Sequence, residues 1–220
     1  GDNAIIGSPR DDDGGLDSGS AYIFSRIGGG PWTQAHKLTA SDAADRDEFG
    51  LSVAIYDDVI MVGAIRTDDR GPNSGAVYVF SRGLNGEWAQ TQKLTADDGQ
   101  DNDWFGRSLS LEGDLAIVGA RSDVDPGSTA GSAYFFRRDR LGRWHQVQKL
   151  LAADAGANDW FGRSVDIDGY TGIVGACSDD DQGQESGSLY TYSMDVSLCT
   201  RDAACVCLDG AAGPDCSERE

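Results

Sequence analysis

The sequence predicts an all-β fold of β-propeller blades: four four-stranded antiparallel repeats, the first and last incomplete, followed by a short disulfide-rich tail. Three observations lead there. The chain repeats every 56 residues, with the glycine of Ile-Ile-Gly-Ser, Met-Val-Gly-Ala, Ile-Val-Gly-Ala and Ile-Val-Gly-Ala at Gly7, Gly63, Gly119 and Gly175. Trp32, Trp88 and Trp144, the pairs beginning at Lys37, Lys93 and Lys149, and the Phe-Gly pairs at Phe49, Phe105 and Phe161 keep the same step. Such a period marks units that cannot bury an apolar face alone and therefore stack on their neighbours. Within each unit apolar residues alternate with period two, and no stretch reads as an amphipathic helix.

Taken in order, a complete unit holds four strands. The first follows Phe-Gly-x-Ser and alternates, as in Val53 and Ile55, Leu109 and Leu111, or Val165 and Ile167. A two-residue acidic or glycine-containing turn, Asp57-Asp58, Glu112-Gly113 or Asp168-Gly169, gives a hairpin. The second strand, as in Val59 to Ala64, is apolar almost throughout, so both of its faces are expected to be covered. An acidic loop of about a dozen residues ends in Ser-Gly or Ala-Gly and leads to an aromatic third strand, as in Val77-Tyr78-Val79-Phe80. The fourth, Trp88 to Leu94 and its equivalents, alternates polar residues and suits a wetter outer position. The units run over about 1–48, 49–104, 105–160 and 161–198, making a propeller region of 1–198 and a cysteine-rich tail of 199–220.

Composition narrows the partners. Acidic residues number 37 against 18 basic ones, a net charge of −19, which repels phosphate backbones and anionic headgroups. Nucleic acid is excluded as a partner, and so is membrane insertion, because no run of 18 apolar residues exists. Gly1-Asp2-Asn3 has neither part of a signal peptide, so a secreted form is expected to have lost its signal already. Four of the five cysteines fall at Cys199, Cys205, Cys207 and Cys216. That density points to disulfides and an extracellular or cell-surface location. The competing metal-knuckle reading lacks a nearby histidine and the usual zinc spacing.

Phe-Gly-x-Ser, then Val-Gly-Ala, then Asp-Asp-Asp-x-Gly-x-x-Ser-Gly-Ser-x-Tyr-x-Phe resembles the FG-GAP repeat, the blade of the integrin alpha-subunit propeller, over residues 1 to about 193. The tail resembles the second half of an EGF-like module. That resemblance implies a Cys207–Cys216 disulfide and leaves Cys199 with Cys205, with Cys177 unpaired. The integrin-type blade carries a calcium loop between its first two strands; the two-residue connection here is too short to wrap a cation, so that site is expected to be absent.

Two other acidic loops remain in each unit. Candidate calcium ligands are Asp11, Asp13 and Asp17, then Asp179 and Asp181, in the loops after the second strand. Before Phe-Gly they are Asp42, Asp45 and Asp47, and Asp98, Asp101 and Asp103. Closely spaced carboxylates supply the several hard oxygens calcium needs; the alternative is ordinary turn chemistry, in which Asp bonds nearby backbone amides. Calcium is the one cofactor expected, at one loop or more. His36 and His145 occupy different phases and make no pair, and no nucleophile elbow or phosphate loop appears, so no enzyme is expected and no catalytic residue is assigned. Trp32, Trp88 and Trp144 read as packing between blades. Trp104 and Trp160, beside acidic loops, read as exposed candidates for ligand contact.

The first unit lacks its Phe-Gly strand and the fourth lacks its outer one, leaving fourteen strands with open edges. A fragment of a larger ring, a four-bladed ring and a filament of mutually completing chains are the three ways to satisfy them. The functional expectation is an extracellular structural or adhesion scaffold that is non-catalytic and associates with itself, as a filament subunit, or with other extracellular proteins. The alternative is a calcium-assisted carbohydrate-binding, lectin-like module whose partners are glycans.

Overall fold

Among the described residues period-two alternation becomes fourteen strands in four antiparallel sheets, beside a short two-stranded pair in the tail. The computed structural model describes residues 2–124, 129–181, 183 and 186–194, with the backbone of 205–206 and 212–213. The first sheet is β1 (Asn3–Ser8), β2 (Ser20–Ser25) and β3 (Thr33–Leu38). The second is β4 (Ser52–Tyr56), β5 (Val59–Ala64), β6 (Ala76–Arg82) and β7 (Trp88–Leu94). The third is β8 (Phe105–Glu112), β9 (Leu115–Ala120), β10 (Ser132–Arg138) and β11 (Trp144–Leu150). The fourth holds β12 (Phe161–Asp168), β13 (Thr171–Ala176) and β14 (Ser188–Ser193). In the tail β15 (Cys205–Val206) pairs with β16 (Ala212–Gly213).

Strands follow one another in space as in sequence, each hairpin being set by its turn. Asp57, Gly113 and Gly169 share one phase and positive φ angles of 48°, 58° and 57°, the conformation a tight two-residue hairpin requires. The first strands β4, β8 and β12 adjoin one another, which places them on the inner side of the stack.

No sheet owns its core. Among the described residues three apolar clusters form, and each lies between two sheets. The first and second sheets share Ala21, Ile23 and Leu38 with Phe49, Val62, Tyr78 and Phe80. Met61, Val77, Val79 and Leu94 of the second meet Phe105, Val118, Tyr134 and Phe136 of the third. Ile117, Ala133, Phe135 and Leu150 of the third meet Phe161, Val174 and Ala176 of the fourth. Each Phe-Gly ring stands edge-on to the two aromatics of its own third strand, as Phe105 does to Tyr134 and Phe136 at 5.6 and 5.8 Å. None of the three clusters joins the fourth sheet to the first, so the described sheets form an arc with two uncovered faces.

Those ends explain where the sequence reading fell short. β5 and β9 are buried along their whole length, as an apolar run predicts, but the equivalent β1 and β13 are buried only in part. Among the repeated tryptophans, Trp144 is 2% exposed and Trp88 packs against the first interface, whereas Trp32, on the open face of the first sheet, is 43% exposed. The disulfides assigned to Cys199, Cys205, Cys207 and Cys216 lie outside the described residues, apart from the backbone of Cys205. Cys177 is a free, exposed thiol.

The interfaces are tight at backbone level. A Cβ on Gly63 would collide with the Gly106 carbonyl of the next sheet, and one on Gly119 with that of Gly162. The Phe-Gly-x-Ser hydroxyls hold the same carbonyls, Ser52 Oγ donating to Gly106 O at 2.6 Å and Ser108 Oγ to Gly162 O at 2.8 Å. Gly175 stands in the same tetrapeptide as Gly119 but meets only its own sheet's Ser164. Gly119→Ala is therefore expected to destabilise the monomer by about 1–3 kcal/mol through overpacking. In dilute protein Gly175→Ala should lower the thermal midpoint distinctly less; equal losses would contradict the interface.

Candidate functional site

The lysine of each Lys-Leu pair lies on the last strand of its sheet and points across the aromatic strand toward the acidic loops. Lys37 Nζ is 3.1 Å from Asp11 and also contacts Asp13. Lys93 Nζ sits 2.7 Å from Asp42 and 2.6 Å from Asp69; Lys149 Nζ sits 2.6 Å from Asp98 and 2.9 Å from Asp123. The three ammonium groups lie over the rings of Tyr22, Tyr78 and Tyr134 at 5.2, 5.0 and 5.5 Å. In the second and third units the lysine ties the loop of its own sheet to the segment entering that sheet. The two loops that looked separate in sequence thus meet at one cation.

Charge follows geometry. The Tyr22 hydroxyl, then Lys37, hold Asp11 below the usual carboxylate range. Burial opposes ionisation of Asp98, but Lys149 outweighs it and keeps the carboxyl low; Asp42 behaves likewise beside Lys93. Burial also opposes the charge of Lys149, yet its bonds to Asp98 and Asp123 raise it above the ordinary lysine value.

The other acidic candidates take turn positions. Asp47 and Asp103, one period apart, each accept a hydrogen bond from the amide three residues earlier, Ala44 at 2.8 Å and Gln100 at 2.6 Å. Asp45 accepts from the Leu16 amide across the first interface, and Asp101 lies against Gly71 at the equivalent place in the second. Asp17 has a φ of 51°, its amide donating to Asp12. In the fourth unit Tyr190 donates to both Asp154 and Asp179, at 2.8 and 2.7 Å. The Asp181 amide donates to Asp179. Asp154, Asp179 and Asp181 bring carboxylate oxygens within 4.8 Å of one another, and among the described residues no lysine or arginine pairs with them. Repulsion from Asp179, with burial, pushes the carboxyl of Asp181 up.

Trp104 and Trp160 do not stand free in solvent. Both are half-buried, with φ of 58° and 59°, and their indoles face arginines. The guanidinium of Arg121 is 4.4 Å from the Trp104 ring and 4.8 Å from the Trp160 ring, and that of Arg163 is 5.6 Å from Trp160. Arg107 and Arg163 occupy the bulge between Phe-Gly and the following Ser. These arginines escaped the sequence reading, although Phe-Gly-Arg-Ser recurs at Phe105 and Phe161. Arg121 has no repeat counterpart, since Ile65 and Cys177 hold its phase.

Two outcomes test this chemistry. Lys149→Met removes the lysine charge beside Asp123, whose side chain is 2% exposed and also accepts from the Tyr134 hydroxyl at 2.7 Å, and should cost about 3 kcal/mol in unfolding free energy; Lys37→Met, whose carboxylates are more exposed, should cost less. Burial raises Asp103 to about 6. A carboxyl that holds its proton more tightly folded than unfolded favours the fold fully below about 3.9, and that contribution is lost as pH rises through 6. Between pH 7 and pH 5 the wild type should therefore gain thermal stability relative to Asp103→Asn, and parallel pH profiles would contradict the assignment.

Comparison with known proteins gives the family but no assigned activity. Among curated proteins none is significantly similar in sequence. Solved structures of similar shape include Sqt1 from Chaetomium thermophilum, 15% identical with a TM-score of 0.48, matched over 87% of this chain and 40% of that one. Another is a Lactobacillus plantarum protein, 16% identical with a TM-score of 0.47, matched over 88% and 49%. The chain thus spans less than half the length of either. The FG-GAP repeat model matches residues 1–24, 32–80, 88–136 and 144–192, each of the last three matches running from the outer strand of one sheet through the first three strands of the next, and the chain therefore belongs to the FG-GAP repeat family.

Proposed function

We propose that the chain is a non-catalytic extracellular scaffold whose end sheets dock head to tail on further copies of itself, building an adhesive or structural filament. The observation that carries this reading is the pair of uncovered faces. On the fourth sheet Ile173, Leu189 and Thr191 hold the phases of Ile117, Ala133 and Phe135, which are buried in the third interface. Leu189 is 66% exposed. On the first sheet Ile6, Tyr22, Phe24 and Trp32 hold the phases of Val118, Tyr134, Phe136 and Trp144, all buried in the second interface, and Ile6 is 55% exposed.

Each end thus presents one half of a contact the chain makes internally three times. Docking one copy's fourth sheet on the next copy's first continues that series. A contact between unlike surfaces that does not close on itself propagates. Covering one large apolar side chain contributes about 1.5–3 kcal/mol, so several together offset much of the entropy lost on association. The extracellular placement rests on the cysteine density of residues 199–220.

Sedimentation across a wide concentration range tests the proposal. The wild type should grow beyond its 23.3 kDa monomer as concentration rises. Leu189→Glu and Ile6→Glu change exposed side chains and should each stay monomeric alone. Mixed, they should form a species of twice the monomer mass and no larger, because each retains one intact face. A wild type that is monomeric throughout, or a mixture that fails to pair, would overturn it.

A further inference from the structure

Three guanidinium groups converge in a chain of net charge −19 without taking a carboxylate partner. Arg107 and Arg163 enter from the bulges that open β8 and β12, and Arg121 follows the end of β9. Among the described residues, none of the three side chains makes a hydrogen bond or ion pair. The Nε of Arg121 is buried with no partner at all. Arg121 lies instead against the two indoles, and Arg163 against that of Trp160. The nearest acidic influence is Glu48 on Arg107, but the Glu48 carboxylate is engaged by Arg66 at 3.2 Å.

Arrangements of this kind are unfavourable as they stand. Burial, followed by repulsion from Arg163, lowers Arg107 from its usual value; burial, then Arg107 and Arg163, does the same to Arg121. Elsewhere this chain meets its cations with carboxylates, as around Lys93 and Lys149. Here the surroundings are two tryptophans and the exposed thiol of Cys177, which interacts electrostatically with Arg107 and Arg121.

We propose that Arg107, Arg121 and Arg163, walled by Trp104 and Trp160, bind a small oxyanion: a carboxylate, sulfate or phosphate group borne on a compact ligand. Guanidinium forks match the planar edges of such groups and donate to them bidentately, and the orphaned Nε–H of Arg121 is a donor awaiting an acceptor. The ligand is compact because the excess negative charge of the chain repels an extended polyanion beyond the reach of three arginines. Aromatic walls lower the local dielectric and strengthen each bond made inside.

Cys177 is a built-in reporter. Its thiolate displaces iodide from iodoacetate or from iodoacetamide, forming one thioether and releasing one iodide; the reagents differ chiefly in the carboxylate. In the full chain, with Cys177 followed by peptide mapping, the iodoacetate-to-iodoacetamide rate ratio should exceed that of the urea-unfolded chain. Arg107→Ala and Arg163→Ala should each lower the ratio about two- to fivefold, the size of one charge interaction at short range.

Sulfate, phosphate and glucuronate, each against sodium chloride of equal ionic strength, should slow iodoacetate labelling saturably and change tryptophan fluorescence in the wild type. Whichever of the three acts at the lowest concentration names the group. These competition measurements need no variant, so misfolding of a substituted chain leaves the proposal open to refutation. A folded-chain ratio no higher than the unfolded one, together with no difference between the three anions and chloride, would overturn it.

Discussion

Every sheet in this molecule depends on the sheet beside it, because each apolar cluster is shared across an interface and none lies within one sheet. A twisted sheet of three or four strands has two faces to cover and too little thickness to cover them itself. At all three interfaces Gly7, Gly63 and Gly119 bring their backbones against the Gly50, Gly106 and Gly162 carbonyls, leaving no room for a side chain. Around those points the aromatic third strands share clusters with the sheet before them, Tyr78 and Phe80 with Ala21 and Ile23, and Tyr134 and Phe136 with Met61 and Val79. The serine bonds, the lysine clusters and the aspartate turns are built round that spacing and hold it.

Much of this was legible in the sequence, since a strict period forces equivalent residues into equivalent places. Fourteen strands, their order and the incomplete first and last sheets follow from the phases of Phe-Gly, Val-Gly-Ala and the aromatic strand. What identical phase cannot convey is a neighbour. Trp32 and Trp144 occupy one phase, yet only Trp144 has a sheet on its face. Leu189 likewise shares its phase with the buried Ala133, yet it stands largely exposed among the described residues.

The chemistry was harder to read for a related reason. Asp42 and Asp69 lie far apart in sequence, in loops that looked independent, and only packing brings both to Lys93. The lysine repeat was visible, but its role as a counter-ion required the third dimension. In the fourth unit the aspartates Asp154, Asp179 and Asp181 persist without a lysine partner among the described residues, and mutual repulsion raises Asp181. The arginine cluster is the inverse case: Arg121 breaks the repeat, and a residue that departs from its phase is one that averaging over units hides.

Structural and associative roles suit such a design, because a stack of interdependent sheets ends in surfaces already shaped for the next sheet. Native-state hydrogen exchange on the monomeric Leu189→Glu variant tests the central dependence most directly. If sheets stand only by mutual cover, amides of β5, β6, β9 and β10 should exchange slowest, and those of β1 and β14, each on a sheet with one open face, should exchange fastest. Uniform protection across all four sheets would mean that each is stable by itself and would contradict the account.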